Sequence, residues 1–196
     1  GRYVHTRRAN ACADCHDAGR DYNGRYVHTR RANACADCHD AHQLTIPVEF
    51  CADCHEDVET VADLRLIRLE RDDVDPVDYD GDGNFTEPIY DEIMTLETDL
   101  KARIQQYAAE TIGTPIVYSA AAFPYFFIDL NGNGELDADE ANFGNRYVTW
   151  TPKLLRAAYN YKYVAADPGG YAHNGDYVLQ VLFDSLEDIG GEEAVA

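Results

Sequence analysis

The pentapeptide CADCH occurs at residues 12–16, again at 35–39 and a third time at 51–55, and the three copies use all six cysteines of the 196-residue chain. A Cys-x-x-Cys-His pentad is the attachment signature of a c-type haem. The two thiols add to the vinyl groups of the haem, and the adjoining histidine becomes the proximal iron ligand. The sequence therefore predicts three covalent haems. Their attachment residues are Cys12, Cys15, Cys35, Cys38, Cys51 and Cys54, and their proximal ligands are His16, His39 and His55.

Two other uses of six cysteines are weighed against haem. Structural zinc requires four ligands per site, usually from pairs of Cys-x-x-Cys knuckles, and three knuckles make one and a half such sites. Zinc would also leave unexplained the histidine that follows every second cysteine. A disulfide framework could use six cysteines, but three identical tight spacings suit a cofactor better than crosslinks. Haem is the preferred interpretation.

The first two pentads belong to an internal duplication. Residues 1–18 recur without change as residues 24–41, whereas the third pentad follows after a shorter step of 16 residues and lacks the same upstream segment. The sequence between pentads holds too few apolar side chains for a core of its own, and the porphyrins would supply that apolar mass. We therefore expect an extended arm that wraps the haems, with little regular structure before residue 56.

Four histidines outside the pentads are candidates for distal iron ligands: His5, His28, His42 and His173. Methionine is the other common distal ligand, but the single methionine, Met94, falls inside a predicted helix. His5 and His28 lie seven residues before their pentads in identical surroundings, so we expect both or neither to ligate. His42 and His173 then compete for the third iron. If both ligate, one position is filled across a contact between subunits.

The net charge of −20 is unevenly distributed. Residues 1–45 hold seven arginines and five aspartates, a balance of +2, so the remaining residues carry −22. An acidic body argues against a nucleic-acid partner, because phosphates would be repelled. The arginines of the arm are suited to pairing with haem propionates.

The same composition bears on localisation. No run of 18 apolar residues occurs, which predicts no membrane span. No signal peptide is visible, and c-type haem is attached outside the cytoplasm. We therefore expect a soluble, exported chain, extracellular or at the cell surface, whose processed form begins at Gly1.

Residues 129–140, DLNGNGELDADE, match all twelve positions of an EF-hand calcium loop. Oxygen ligands at alternating positions suit Ca²⁺, and the glycine at position 6 allows the sharp turn. The preceding segment, FPYFFI, is not an ordinary entering helix, so we expect a structural calcium loop without the full helix–loop–helix frame. The candidate ligands are Asp129, Asn131, Asn133, Glu135, Asp137 and Glu140.

Residues 78–84, DYDGDGN, match the first seven positions of a second such loop, which would bind a second calcium ion. Position 12 is Ile89 where a bidentate glutamate belongs, and Asp91 or Glu92 just beyond could complete a longer loop. The alternative is an acidic turn without an ion. The candidate ligands are Asp78, Asp80, Asp82 and Asn84.

Apolar periodicity and end signals predict three helices in the acidic part of the chain. The first runs from Pro88 to Gly113, the second from Thr151 to about Ala165, and the third from near Gly175 to Asp188. The apolar pattern of residues 115–128 predicts a buried extended chain, with an aromatic electron relay as the alternative. The pattern of residues 56–71 fits either a strand or a helix. We predict a mainly α fold with much irregular structure: a trihaem arm over residues 1–57 and a small, acidic, helical domain with EF-hand-like calcium loops over residues 58–196.

Four blocks, YDGDGN, YFFIDLNGNGELDADE, TPKLLRAAYNYKY and DPGGYAHNGDYVLQVLFDSLEDIG, lie between residues 79 and 190 and resemble the C-terminal region of exported multihaem c-type cytochromes. The resemblance implies electron movement at or beyond the cell surface. It extends to subunits of extracellular cytochrome filaments (nanowires), in which a histidine of one subunit ligates a haem of the next. It therefore favours His173 as a haem ligand and the Asp129 loop as a calcium site.

Three functions from different classes follow from these patterns. The preferred one is electron transfer through three bis-His haems without catalysis, in a head-to-tail homopolymer that meets other redox proteins or extracellular electron acceptors. A monomeric periplasmic or cell-surface electron carrier is the alternative within that class. A multihaem reductase requires an iron with an open position, which the surplus of histidines disfavours. A structural or adhesive calcium module ranks last.

Overall fold

The computed structural model describes residues 38–40, 42–43, 45–52, 55–68 and 77–190. Backbone contacts group the chain into two compact units, Gly1–Leu69 and Glu70–Ala196. The functional division after residue 57 stays a prediction.

The first unit contains short elements in the part that the structure describes. Helix α1 spans Glu49–Ala52, and a 3₁₀ turn spans Asp63–Leu66. Asp63 stabilises the entry to this turn, because its Oδ2 accepts the backbone N–H of Thr60 at 2.7 Å and the Thr60 hydroxyl at 2.8 Å. The described part of the ambiguous segment 56–71 is therefore a 3₁₀ turn with irregular flanks.

The longest helix of the second unit, α2, spans Ile89–Gln106 and continues as a π-helical segment over Tyr107–Ile112. The helix begins after Pro88, whose extended backbone cannot continue a helix backwards. It ends at Gly113, whose φ of 79° is the left-handed conformation that glycine adopts at low cost. The predicted helix from Pro88 to Gly113 is confirmed. The π segment is an addition that its periodicity did not indicate.

A short antiparallel hairpin follows. Strand β1, Ile116–Tyr118, pairs with strand β2, Phe126–Ile128, in the register Val117 opposite Phe127. Val117 and Phe127 are buried, as expected for the apolar segment 115–128, and the Tyr118 ring packs edge-to-face on Tyr161. These contacts are those of a packed core, which favours core packing over an electron relay for the segment.

Two helices complete the unit. Helix α3 spans Pro152–Ala165, and the Thr151 hydroxyl caps it by accepting the backbone N–H of Leu154 at 3.2 Å. Helix α4 spans Gly170–Gly190 with a break at Asn174, whose φ and ψ are −167° and 70°. The continuous part of α4 therefore begins after Asn174. The predicted second and third helices are both confirmed.

The core lies where α2, α3 and α4 pack on one another, with the hairpin against α2. Its members share near-complete burial and the three- and four-residue spacing of helix faces. They include Leu96, Leu100, Ile104, Leu154, Ala158, Tyr161, Leu179, Leu182 and Leu186. Within the described residues, no helix combines the length and the apolar character needed to cross a membrane.

Candidate functional site

The structure describes part of the second and third haem pentads. Cys38, His39, Cys51 and His55 are described. The remaining predicted haem residues, Cys12, Cys15, Cys35, Cys54, His5, His16 and His28, lie outside the described residues.

The described residues of the third pentad are joined by backbone hydrogen bonds. The backbone N–H of His55 donates to the carbonyl oxygen of Cys51 at 2.8 Å, and the N–H of Cys51 donates to Val48 at 2.9 Å. This bond holds the backbones of Cys51 and His55 within one turn of each other, as attachment of a porphyrin to the cysteine and its ligation by the histidine require. The described donor set fits a c-type haem.

The pKa of the Cys51 thiol depends on burial and on two neighbouring residues. Burial raises the pKa of this thiol, and the nearby Cys38 and Glu49 raise it further. Cys38 belongs to the second pentad and Cys51 to the third, so these two predicted attachment sites are close enough to interact electrostatically. Haems attached at neighbouring sites would be near one another, which electron exchange requires.

The two candidates for the third distal position differ in their surroundings. The backbone N–H of His42 donates to Asp40 Oδ1 at 2.9 Å, and that of Gln43 donates to the same oxygen at 2.7 Å, so His42 lies in an exposed turn. The two donors, Gln43 first, lower the pKa of the Asp40 carboxyl. These bonds fix the backbone of the turn.

The imidazole of His173, in contrast, has a defined orientation. Its Nδ1 lies 2.8 Å from Asp167 Oδ2. The ring also lies against Gly169, where an added Cβ would be only 2.8 Å from His173 Cε1. A carboxylate on one ring nitrogen is the usual neighbour of a metal-ligating histidine. The sequence pattern did not indicate a role for Asp167.

The second acidic loop has the hydrogen bonds expected of a calcium loop. Asp129, at position 1, accepts the N–H groups of Gly132 and Gly134, each at 2.7 Å. Glu140, at position 12, accepts the N–H of Leu130 at 2.6 Å and that of Asp137 at 3.2 Å. These bonds draw both ends of the loop around its centre. Asn131 and Asn133 also direct side-chain oxygens to backbone N–H groups, and both donate side-chain N–H groups to Asp137.

The first acidic loop has the same arrangement at its start. Asp78 accepts the N–H groups of Gly81 at 2.6 Å and Gly83 at 2.8 Å, the counterparts of Gly132 and Gly134. All four glycines have φ between 73° and 91°, a conformation that side-chain-bearing residues rarely adopt. The two loops therefore share one backbone path over their first six residues.

The first loop is closed by Glu92 instead of a residue at position 12. Glu92 Oε2 accepts the N–H of Tyr79 at 2.7 Å and that of Asp80 at 3.0 Å. Carboxylate oxygens of Asp78, Asp80 and Glu92 lie within 4.8 Å of one another, and so do those of Asp80, Asp82 and Glu87. Asp91, the other closing residue that the sequence left open, is exposed on the first turn of α2.

The crowding of carboxylates in this loop shows in their pKa values. Burial, and then the charges of Asp80 and Asp82, raise the pKa of Glu87 to about 7. Burial also raises the pKa of Asp80, whose Oδ2 is buried without a hydrogen-bond partner. For Asp78, burial is outweighed by the N–H groups of Gly83 and Gly81, and the pKa is lowered. A divalent cation would offset this concentration of negative charge. The donor set of oxygens suits calcium.

The loops are also linked to the helical core. Glu92 lies on α2, and near the other end of the same helix Gln105 Nε2 donates to the Gly134 carbonyl oxygen of the second loop at 2.8 Å. The sequence pattern did not indicate Gln105, because a contact over 29 residues leaves no local signal. One helix therefore contacts both acidic loops.

Comparison with known proteins points to the class of protein that the pentads define: the chain is a partial homologue of polyhaem c-type cytochromes. The relatives include the C-type polyheme cytochrome OmcB of Geobacter sulfurreducens, strains DL-1/KN400 and PCA, 33% identical over 101 residues, and OmcC of strain PCA, 32% identical over 101 residues. Each match covers 47% of this chain and 13% of the relative, so it spans a small part of these longer proteins. No family model matches the chain, and no solved structure matches it significantly.

Proposed function

We propose that this chain transfers electrons through three covalently attached c-type haems and that it catalyses no reaction of its own. The observation that carries the proposal is the threefold CADCH pentad, supported by the backbone hydrogen bond between His55 and Cys51. The partial homology to polyhaem c-type cytochromes supports the same class. When bound, each haem supplies an iron that changes oxidation state by one electron.

The residues of the chain would attach, ligate and tune these irons. Each pentad supplies two thioether bonds and a proximal histidine, and we assign His5 and His28 as two of the distal ligands because of their equivalent positions in the duplication. For the third distal position we favour His173 over His42, because Asp167 and Gly169 orient its ring. Irons with two histidine ligands each have no open position for a substrate, which argues against a reductase.

We propose further that the chain is exported and assembles head to tail into an extracellular conductive filament. Three properties of the sequence support assembly: an arm with a net charge of +2, a body with −22, and one histidine more than three irons need. Opposite charges on two parts of one chain favour contacts between successive copies. A head-to-tail contact that does not close into a ring produces an open filament. A monomeric carrier is the alternative.

We propose that the two acidic loops bind calcium in a structural role. The shared hydrogen-bond pattern, the buried glutamates Glu92 and Glu140, and the grouped carboxylates of the first loop support this assignment. A cation at each loop would hold the start of the loop to the residue that closes it. Because Glu92 and Gln105 lie on the same helix, calcium would stabilise the helical core as well as the loops.

The proposal is tested on the haem-loaded chain isolated from a host that matures c-type cytochromes. The mass of the intact protein should exceed that of the polypeptide by three haems, and reduced protein should not bind carbon monoxide. A haem number other than three, or binding of carbon monoxide by one haem, would contradict three bis-His sites. Electron microscopy of the same material distinguishes ordered filaments from particles of one chain, and only the latter outcome overturns assembly while leaving electron transfer intact.

A further inference from the structure

His173 and Asp167 form a small, well-defined arrangement at the start of α4. Asp167 Oδ2 lies 2.8 Å from His173 Nδ1, and the other carboxylate oxygen, Oδ1, accepts the backbone N–H of Gly169 at 3.1 Å. The backbone N–H of His173 in turn donates to the Gly169 carbonyl oxygen at 2.9 Å. The Asp167 carboxylate and the His173 backbone are therefore both hydrogen-bonded to Gly169. These backbone bonds fix the position of the carboxylate relative to the imidazole ring.

Gly169 provides the surface on which the ring rests. A Cβ at this position would lie 2.8 Å from Cε1, 3.1 Å from Nε2 and 3.3 Å from Nδ1 of His173, so any side chain would displace the ring. The φ of Gly169 is not in the left-handed region, and the requirement for glycine here is one of space. The imidazole is thus positioned by the contact of Asp167 with Nδ1 and by the close approach of Gly169 to the ring.

A carboxylate at Nδ1 has two chemical consequences for a histidine. It fixes the tautomer with the proton on Nδ1, so that the lone pair is on Nε2, the atom that would ligate a metal. It also increases the electron donation of the ring, which stabilises the more highly charged oxidation state of a bound metal. The side chains of His173 and Asp167 are 53% and 37% exposed, so solvent screens part of this effect.

We infer that Asp167 is a positioning residue for His173: it presents Nε2 of this histidine to a haem iron and lowers the reduction potential of that iron. The inference rests on the proposed function, in which the third iron takes His173 as its distal ligand. It goes further by assigning a role to a residue that ligates nothing itself, and by predicting that one of the three haems has a carboxylate-tuned ligand.

The experiment uses the full haem-loaded chain and the variant Asp167→Asn, which keeps a hydrogen-bond acceptor of the same size and removes the charge. Spectroelectrochemical titration should show one haem whose potential has risen while the other two are unchanged. Replacing a residue that hydrogen-bonds to a metal ligand typically changes the affinity for the metal about tenfold or more. If the ratio of reduced to oxidised haem changes by the same factor, the reduction potential shifts by about 59 mV for one electron. The low-spin electron paramagnetic resonance signal of the same haem should shift.

Asp99→Asn is the matched control, since it removes the same charge from an exposed position on α2. It should leave all three potentials in place. If Asp99→Asn raises one potential as much as Asp167→Asn does, the effect is one of net charge, and the inference is overturned.

A third variant, His173→Ala, separates failure of the inference from failure of the ligand assignment. A five-coordinate, high-spin haem that binds carbon monoxide would show that His173 ligates an iron. If His173→Ala leaves three low-spin bis-His haems, the assignment of His173 fails and the inference with it. If His173→Ala produces the high-spin haem but Asp167→Asn changes neither the potentials nor the resonance signals, the inference alone fails.

Discussion

The backbone N–H of Tyr79 donates to Glu92 Oε2 at 2.7 Å, across thirteen residues of the first acidic loop. In the second loop the N–H of Leu130 donates to Glu140 at 2.6 Å in the same way. Both glutamates are buried, with 0% and 1% of their surface exposed. The closing residue is therefore at position 15 in one loop and position 12 in the other, because the first loop ends in the opening turn of α2, which carries Glu92.

The position of Glu92 leads to a prediction about the number of calcium ions. Glu92→Gln should remove one of two binding events in a calorimetric calcium titration, because the neutral amide is a weaker calcium ligand than a carboxylate. Asp91→Asn, one residue earlier and exposed, is the matched control and should keep both. If Asp91→Asn loses one calcium site while Glu92→Gln keeps both, then Asp91 and not Glu92 closes the first loop.

Calcium at the second loop should stabilise the unit that contains it. At a free calcium concentration one hundred times the Kd, binding adds about 2.7 kcal/mol to the free energy of unfolding, and a chelator should remove that amount. Glu140→Gln should reduce this dependence, measured by thermal or denaturant unfolding with and without chelator. Asp139→Asn, an exposed neighbour in the same loop, should retain it. Equal chelator dependence in both variants would argue against Glu140 as a ligand.

The packing of α4 predicts a large cost for truncating Leu182, whose side chain is completely buried. Leu182→Ala should lower the free energy of unfolding by about 2–5 kcal/mol, through lost burial and the cavity that remains. Leu155→Ala on α3, where 51% of the residue is exposed, should change it by no more than about 0.5 kcal/mol. Denaturant unfolding followed by far-ultraviolet circular dichroism measures both. A small effect at Leu182 would mean that α4 does not pack as described.

Alkaline pH should destabilise the second unit through Tyr161. Burial, and then the charges of Glu97 and Tyr118, raise the pKa of Tyr161 to about 12 from an ordinary value of 10. The folded state therefore holds this proton more tightly than the unfolded state does, and stability should fall as the pH rises from about 10 to about 12. Two pKa units correspond to at most about 2.7 kcal/mol.

Tyr161→Phe checks the alkaline prediction, because phenylalanine keeps the ring and has no proton to lose. Unfolding measured between pH 9 and pH 12, a range of about three units that ends at the shifted pKa, should show a smaller alkaline loss for this variant. Tyr159→Phe, in which the replaced tyrosine is 69% exposed, should behave as the unsubstituted chain does. An unchanged alkaline loss in Tyr161→Phe would assign the effect to other groups.

Much of the second unit could be predicted because its signals are local. The hydroxyl of Thr151 caps α3 from three residues away, and Gly113 ends its helix through its own φ. The first six residues of each acidic loop likewise adopt their path through Asx-type hydrogen bonds between neighbours. The haem pentads are local in the strictest sense, since covalent attachment needs only five residues.

Other features depend on contacts that no short window of sequence contains. The choice of Glu92 over Asp91 depends on which side of α2 meets the loop, and the two residues are adjacent in the chain. The orientation of His173 depends on a carboxylate six residues away and on the space above Gly169. Composition and spacing list the atoms available for such contacts, but they do not determine which atoms meet.

The sequence by itself determined the chemistry available to this protein: the three haem-attachment signatures, the separation of charge between arm and body, the two acidic loops and the three helices. Only the tertiary structure decided which carboxylate closes the first loop, how Asp167 and Gly169 orient His173, and how one helix reaches both loops. The reason is physical. Covalent signatures and helix ends depend on residues within a few positions, whereas burial, side-chain direction and carboxylate–imidazole contacts arise only when distant segments pack together.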